Sequence, residues 1–150
     1  MAEGDSELQD LYREVLIDYF RTGTHKGCVH NPQLRSHGVN PLCGDDIELT
    51  ASVKDGRLAQ VRFSGHGCVI SQASSAMMAE ALEGKTLEEA RGLIGSFKAF
   101  MLENASPESL PEPLEEVRAL DGVRRFPVRI KCSLLAWNTL LQALEKKEGA

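Results

Sequence analysis

The sequence predicts an α+β protein in which a small antiparallel β-sheet of about three strands packs against several helices. Two patterns indicate this fold class. Apolar and polar residues alternate in two runs within residues 46–64, as they do in a half-buried hairpin. Apolar residues with helical spacing come before and after these runs, so the order along the chain is helix, strands, helices, without an internal repeat.

Length and composition limit the kind of protein further. The chain has 150 residues, of which 42% are hydrophobic, so we expect one domain over 1–150 whose core needs no disulfide bonds. No apolar run approaches the roughly 18–20 residues that cross a bilayer, so we expect no membrane partner. The net charge of −5 argues against a nucleic-acid partner, because such proteins normally present a basic face.

A helix is predicted over residues 6–21, followed by a long loop. The stretch Ser6-Glu7-Leu8-Gln9 has the form of a capping box, and apolar residues then recur every three or four positions. Between Thr22 and Gly44 no period is sustained, and glycine, proline, histidine and asparagine are frequent. This segment is therefore interpreted as a loop.

Two strands are predicted within residues 46–64. Apolar residues alternate with polar ones from Ile47 to Val53 and again from Ala59 to Phe63. Asp55-Gly56 between the two runs is a typical two-residue hairpin turn. The sequence thus predicts an antiparallel pair at this position.

Three longer helices are predicted after the hairpin, over residues 69–82, 87–101 and 128–146. Small residues in the first of them would let its backbone approach a neighbouring element closely. Three prolines prevent a helix over 104–113, and a short helical turn is expected near 114–120. Pro127 suits the first turn of the last helix.

Four cysteines are present, and the acidic N-terminus lacks the cationic and apolar order of a secretory signal. We therefore expect a cytoplasmic location, where thiols stay reduced and indicate metal or sulfur chemistry before disulfide bonds. Cys43, Cys68 and Cys132 lie at the edges of predicted elements rather than on buried stripes. Near a helix start, the helix dipole lowers the pKa of a thiol and favours the thiolate, which is expected for Cys68 and Cys132.

A metal site can be built from these three cysteines and one carboxylate. Asp45 is two residues after Cys43, so in an extended segment both side chains would point the same way, with Gly44 leaving room for an ion. With Cys68 and Cys132 they form a set of three sulfur atoms and one oxygen, which suits zinc or iron. The separations between the cysteines match no local zinc-finger spacing, and a single cysteine is more often a small buried hydrophobic residue. From the residues alone, the site is a hypothesis.

Other residues near these cysteines have weaker claims to a role. Cys28 is interpreted as an ordinary loop thiol near chance histidines. His66, beside Cys68, is expected near the site as a supporting or surface group rather than a ligand. Arginines and a lysine form a basic stretch near the start of the last predicted helix: Arg124, Arg125, Arg129 and Lys131. One interpretation is a solvated helix start. The other is a functional role, in which the positive charge stabilises a thiolate-rich site or steers an acidic partner.

Three motifs carry a resemblance to a known family. They are NPLCGD at 40–45, GHGCVISQAS at 65–74 and KCSLLAW at 131–137. In this order they resemble the U-type iron–sulfur cluster scaffold proteins, the IscU/SufU family, which includes the N-terminal domain of NifU. The resemblance runs from the first predicted helix to the last. It implies the fold of that family, with a metal ion or cluster held by Cys43, Asp45, Cys68 and Cys132.

The resemblance also implies partners and a reaction. A cysteine desulfurase would hand persulfide sulfur to Cys43, and downstream iron–sulfur assembly or acceptor proteins would follow. The IscU branch has a histidine immediately before the last cysteine, where this chain has Lys131, and this chain has extra residues around 104–126. Both features are similar to the SufU branch, which is associated with bound zinc and sulfur relay. Lys131, His66 and Arg129 are weaker candidates for contact with the site or a partner.

Three functions are open from the sequence. The first is a zinc-dependent sulfur acceptor, or sulfurtransferase, in iron–sulfur cluster biogenesis. The second is a scaffold that assembles and transfers a 2Fe–2S cluster. The third is a structural zinc adaptor domain, whose chain would unfold when zinc is removed.

Overall fold

Three antiparallel strands form one sheet, and helices pack against its inner face. This computed structural model describes the backbone of residues 2–149 and the side chains of residues 7–146. In chain order the helices are α1 (Ala2–Thr22), α2 (Val69–Leu82), α3 (Leu87–Leu102) and α4 (Pro127–Gly149), and the strands are β1 (Leu34–Asn40), β2 (Asp45–Lys54) and β3 (Arg57–His66). Two 3-10 helices, Pro107–Ser109 and Glu112–Arg125, connect α3 to α4. The predicted α+β class is confirmed.

The strands β2 and β3 occupy the region of the predicted hairpin. Leu49 of β2 stands opposite Phe63 of β3, and both side chains are buried. At the turn, Asp55 and Gly56 both have positive φ angles, 54° and 74°, which is the combination that a two-residue type I′ turn requires. The turn residues therefore set the pairing that the alternation of apolar residues predicts.

The strand β1 lies in the segment for which a loop was predicted, so that prediction was wrong over residues 34–40. β1 pairs with β2 in antiparallel fashion, from Leu34 opposite Ala51 to Asn40 opposite Asp45. The sheet order is accordingly β1-β2-β3, with β2 in the centre.

The inward side of β1 explains why its sequence does not look like a strand. The residues on that side are Leu34, Ser36, Gly38 and Asn40, of which only the first is aliphatic. Helix α4 packs so closely here that a Cβ at Gly38 would overlap the side chain of Thr139. Close packing of α4 thus requires small residues at the inward positions of β1. The alternation of apolar and polar residues that would indicate a strand is therefore missing from its sequence.

The outer edge of β3 is covered by two other segments of the chain. Phe63 N–H donates to the carbonyl of His25 at 3.0 Å, and the Phe63 carbonyl accepts from Gly27 N–H at 2.8 Å. Nearer the hairpin turn, Leu58 N–H donates to the carbonyl of Lys85 at 2.9 Å. These backbone groups of an edge strand are therefore paired within the chain.

The helices lie near their predicted positions, with two differences. α1 begins at Ala2 rather than at residue 6, and the side chain of Ser6, which was expected to cap it, lies outside the described residues. The 3-10 helix Glu112–Arg125 is longer than the helical turn predicted near 114–120. None of the described helices has both the length and the hydrophobicity that crossing a bilayer requires.

Trp137 of α4 lies at the centre of the helical core. Its fully buried ring stacks on Phe97 of α3, with 4.0 Å between the ring centroids and 18° between the planes. Its Nε1 donates to the hydroxyl of Ser74 on α2 at 2.9 Å, and that hydroxyl donates to the carbonyl of Ser133 at 2.6 Å. Three helices are therefore joined at this point by packing and by hydrogen bonds.

Glu83, at the end of α2, connects three parts of the chain. Its Oε2 accepts from Val61 N–H at 2.9 Å and from the Arg62 guanidinium at 2.7 Å, and its Oε1 lies 3.3 Å from His25 Nε2. Partial burial raises the pKa of Glu83, but the hydrogen bonds from Val61 and Arg62 and the positive charges of His25 and Arg62 outweigh it. The pKa of Glu83 consequently lies below its usual value.

Replacing Glu83 by glutamine is expected to lower the free energy of unfolding by about 1 kcal/mol at pH 7, because charged hydrogen bonds become neutral ones. Since the pKa is lower in the folded chain, the stabilisation is present above the unfolded pKa of about 4.3 and is lost as the pH falls through the folded value. Urea unfolding at pH 7 and near pH 3 should show the difference between wild type and variant closing at the lower pH. An exposed carboxylate, in Glu103→Gln, serves as the control, and a difference that persists at low pH would contradict this assignment.

Candidate metal centre

The turn between β1 and β2 places Cys43 and Asp45 at one end of the sheet. Asn40 and Asp45 form the last pair of the two strands, and the turn is closed by Cys43 N–H donating to the carbonyl of Asn40 at 3.2 Å. Gly44 has a φ of 70°, in the left-handed region that favours glycine. Cys43 thus lies in a turn, and the prediction that an extended segment aligns it with Asp45 was wrong: the turn brings the two side chains together.

The start of α2 lies against Asp45. Cys68 is the N-cap residue of α2, and its Sγ accepts from Ser71 N–H at 3.5 Å. Cys68 N–H donates to Asp45 Oδ1 at 2.9 Å, and the Ser71 hydroxyl donates to the same oxygen at 3.0 Å. A Cβ at Gly67 would overlap both Ser71 and Asp45, so glycine is needed for this close approach. Asp45 is fully buried, and its Oδ2 has no hydrogen-bond partner among the described residues.

Helix α4 brings Cys132 to the same place. Its Sγ accepts from the side-chain amide of Asn40 at 3.5 Å and lies 3.5 Å from the carbonyl of Val128, to which the thiol donates. The ligand atoms of Cys43, Asp45 and Cys132 all lie within 4.8 Å of one another. The fold thus gathers three of the four predicted metal ligands around one point.

The protonation of Cys132 differs from the expectation. Burial raises the pKa of the Cys132 thiol, and the neighbouring Cys43, Asp45 and Cys68 raise it further. The prediction that the helix dipole lowers its pKa was wrong, because the residue lies beyond the first turn of α4 and only 1% of it is exposed. It also lies in the core rather than at an exposed edge. A thiol in such surroundings loses its proton readily only when a cation compensates the charge.

The donor atoms fit a zinc or iron ion. Thiol sulfur and carboxylate oxygen are ligands that these ions accept, and a buried carboxylate oxygen without a hydrogen-bond donor is satisfied when it binds a cation. Cys68 Sγ lies outside this group of three and accepts from Ser71 N–H as the cap of α2. The backbone N–H of Cys68 donates to Asp45, and the assignment of Cys68 as a fourth ligand stays a prediction.

The weaker candidates lie at the surface. His66, Arg129 and Lys131 are exposed, and within the described side chains no hydrogen bond or ion pair joins them to the three ligand atoms. Cys28 is an exposed loop thiol whose S–H points to the Ser64 hydroxyl at 3.8 Å. Because Arg129 and Lys131 are exposed, contact with a partner is the role that remains to be tested for them.

Arg124 has a structural role. Its guanidinium lies 4.1 Å over the Phe100 ring, donates to the carbonyls of Phe100 and Ala105 at 3.1 and 2.7 Å, and pairs with Asp121. Arg124 is therefore not part of a solvated helix start, and its described contacts join it to α3 and its connection rather than to the three ligand atoms. Its contacts hold the connection between α3 and α4.

A cavity of about 540 Å³ lies between α1, the 3-10 helix Glu112–Arg125 and the starts of α2 and α4. Arg125 and Arg129 line it, together with the apolar side chains of Val69 and Phe126. Two cations of the basic stretch and the apolar residue next to Cys68 therefore share one surface.

Asn40 and Ser71 were not predicted as site residues. Ser71 is three residues after Cys68, which is the spacing at which an N-cap residue meets the first turn of a helix, and this spacing could have identified it. The contact between Asn40 and Cys132 spans 92 residues of chain, and no local pattern indicates it.

Comparisons with known proteins cover nearly the whole chain. The family model described as NifU-like N terminal domain matches residues 11–149. Over 145 residues, or 97% of this chain, 37% of the residues are identical to those of the zinc-dependent sulfurtransferase SufU of Bacillus subtilis, of which 97% is covered. Over the same share of the chain, 38% are identical to those of the iron-sulfur cluster assembly scaffold protein IscU of Streptococcus pyogenes, of which 89% is covered.

Solved structures give the same grouping. A crystal structure described as an iron-sulfur cluster assembly scaffold protein for the SUF system, from Fervidobacterium islandicum, has a TM-score of 0.79 and 35% sequence identity, and the match covers 87% of this chain and 94% of that one. The predicted resemblance, including the similarity to SufU, is confirmed. The chain belongs to the NifU-like N-terminal domain family, in which proteins named IscU and SufU are its relatives.

Proposed function

We propose that this protein binds zinc through Cys43, Asp45, Cys68 and Cys132 and accepts sulfur at Cys43 from a cysteine desulfurase, in cytoplasmic iron–sulfur cluster biogenesis. The observation that carries the proposal is the group of three ligand atoms within 4.8 Å of one another, two of them on buried residues and one of these on a carboxylate that has an unpartnered oxygen. The names of the two relatives, a zinc-dependent sulfurtransferase and a cluster assembly scaffold, support the same class of function.

The residues of the chain divide the work at this site. A bound zinc ion keeps its sulfur ligands as thiolates at neutral pH. The Asn40 amide orients Cys132 Sγ, and Cys68 N–H with the Ser71 hydroxyl holds Asp45. Cys132 is buried whereas Cys43 is only half-buried, in a turn. Cys68 is half-buried as well, but its Sγ accepts from Ser71 N–H as the cap of α2, so we assign the acceptor role to Cys43.

Sulfur transfer to Cys43 exchanges one S–S bond for another. The Cys43 thiolate attacks the outer sulfur of the desulfurase persulfide, and a new S–S bond forms on Cys43. The S–S bond of the donor breaks, and the desulfurase cysteine leaves as a thiolate. The exchange has no net oxidation or reduction, so it needs no further reactant.

The surface around the site suits a protein partner. Leu42, next to Cys43, is 69% exposed. Val69, next to Cys68, is exposed, and so is Val128, whose carbonyl accepts from the Cys132 thiol. The exposed Phe126 lines the same cavity as Val69. Arg125, Arg129 and Lys131 add positive charge near them. An apolar surface with a basic margin fits a partner that brings apolar side chains and carboxylates. We expect the desulfurase to dock here, and the downstream assembly or acceptor proteins after it.

Elemental analysis of the purified protein tests the metal part of the proposal. We expect about one zinc ion per chain and no stoichiometric iron. The Cys132→Ala variant should lose most of the zinc, because it removes a buried ligand. Cys28→Ala removes an exposed thiol outside the site and should retain the zinc, which makes it the matched control.

The same preparation separates the alternative functions. Iron together with acid-labile sulfide would favour the 2Fe–2S scaffold over the zinc relay. The structural adaptor would be favoured by two results together: the chain unfolds when zinc is removed, and the protein accepts no sulfur. Metal-free protein that gains neither zinc nor iron on reconstitution would contradict the whole proposal.

A further inference from the structure

The two oxygens of the Asp45 carboxylate have opposite surroundings. Oδ1 accepts two hydrogen bonds, from Cys68 N–H at 2.9 Å and from the Ser71 hydroxyl at 3.0 Å. Oδ2 is buried and has no partner among the described residues. A carboxylate that is held in this way has one oxygen available for a cation.

We infer that Ser71 is a positioning residue that makes Asp45 a one-oxygen ligand of the metal ion, an inference that rests on the proposed function. The Ser71 hydroxyl occupies a lone pair of Oδ1 that would otherwise be free to turn toward the ion. Asp45 then binds through Oδ2 alone. Groups that hold a ligand from behind are known to affect metal affinity strongly.

The surroundings of Ser71 keep its hydroxyl in this position. The side chain is buried at the start of α2, and the hydroxyl oxygen also lies 3.2 Å from the Cys68 carbonyl, the alternative acceptor within α2 itself. On the other side, the absence of a Cβ at Gly67 leaves the space in which Ser71 and Asp45 meet. The hydroxyl thus has two acceptors, and a charged carboxylate is the stronger of them.

Removing the hydroxyl leaves Oδ1 with one donor, Cys68 N–H. The buried carboxylate would then be held less firmly, and it could bind the ion through both oxygens, which would raise the coordination number above four. We expect the Ser71→Ala variant to bind zinc about 10- to 100-fold more weakly than the wild type. Cobalt(II) bound to the variant should show weaker d–d absorption, as expected for a coordination number above four.

The experiment measures zinc affinity by chelator competition and cobalt(II) absorption in three serine variants, and zinc affinity also in Asp45→Ala. Ser71→Ala removes the hydroxyl, and Ser71→Thr retains one and should restore both readouts toward wild type. Ser75→Ala is the matched control: this hydroxyl is buried in the same helix but donates to the Ser71 carbonyl at 2.7 Å, not to Asp45. Ser75→Ala should keep the wild-type affinity and spectrum.

Two results would overturn the inference in different ways. If Ser71→Ala binds zinc within about twofold of Ser75→Ala and has the wild-type cobalt spectrum, Ser71 does not position Asp45, whereas the proposed function stands. If the wild type itself binds no zinc, or if Asp45→Ala binds it as tightly as wild type, the proposed ligand set fails and the inference fails with it.

Discussion

Replacing Cys43 by serine is expected to lower sulfur acceptance from a cysteine desulfurase by at least about 100-fold, because a serine hydroxyl is a poor nucleophile at neutral pH. Cys43 is a half-buried thiol in the turn, beside the exposed Leu42, whereas Cys132, on α4, is buried. The measurement charges a desulfurase with isotopically labelled cysteine and follows transfer of the label to this chain, and mass spectrometry of the peptides locates the added sulfur atom.

The exposed thiol Cys28 provides the control for this experiment. Cys28→Ser removes the most accessible cysteine outside the site and should leave the transfer unchanged. Label on Cys28 in the wild type, or undiminished transfer to Cys43→Ser, would show that the acceptor is another thiol. Zinc content should be measured in each variant, so that loss of the acceptor is distinguished from loss of the metal.

Replacing Trp137 by alanine is expected to lower the free energy of unfolding by about 4 kcal/mol. The substitution removes a fully buried ring, its stacking on Phe97 and the donor to the Ser74 hydroxyl. For a chain of this size such a loss lowers the melting temperature by about 8–16 °C. Urea unfolding of the metal-free protein measures it without the contribution of bound zinc.

A second variant separates packing from hydrogen bonding at this position. Trp137→Phe keeps an aromatic ring against Phe97 but has no N–H for Ser74, and it should cost about 1–2 kcal/mol. A loss under about 1 kcal/mol in Trp137→Ala would contradict the central place that the structure gives this side chain.

Much of the fold follows from local patterns. The hairpin of β2 and β3 and the helices α2, α3 and α4 have apolar residues at periods that short segments reveal, and turn or cap residues such as Asp55-Gly56 and Thr86 mark their ends. β1 has no such pattern, because its inward positions are small or polar to fit under α4. Its place in the sheet depends on tertiary packing, which no local pattern expresses.

Of the four ligands that the motifs indicate, the fold brings Cys43, Asp45 and Cys132 together, whereas Cys68 Sγ lies outside that group. The contacts that support these side chains were not predicted. The pKa of Cys132 is raised rather than lowered, because the residue lies inside the protein, where burial is the largest influence on its thiol. The donors from Asn40 and Ser71 come from different elements, so only the folded chain shows how the ligands are oriented.

The cover on the outer edge of β3 has a consequence for association between molecules. The backbone of this strand is already hydrogen-bonded to His25, Gly27 and Lys85. A strand from a second molecule can add at this rim only after those loops detach. Growth of the sheet into a fibril is thus obstructed on that side by the protein's own connecting segments.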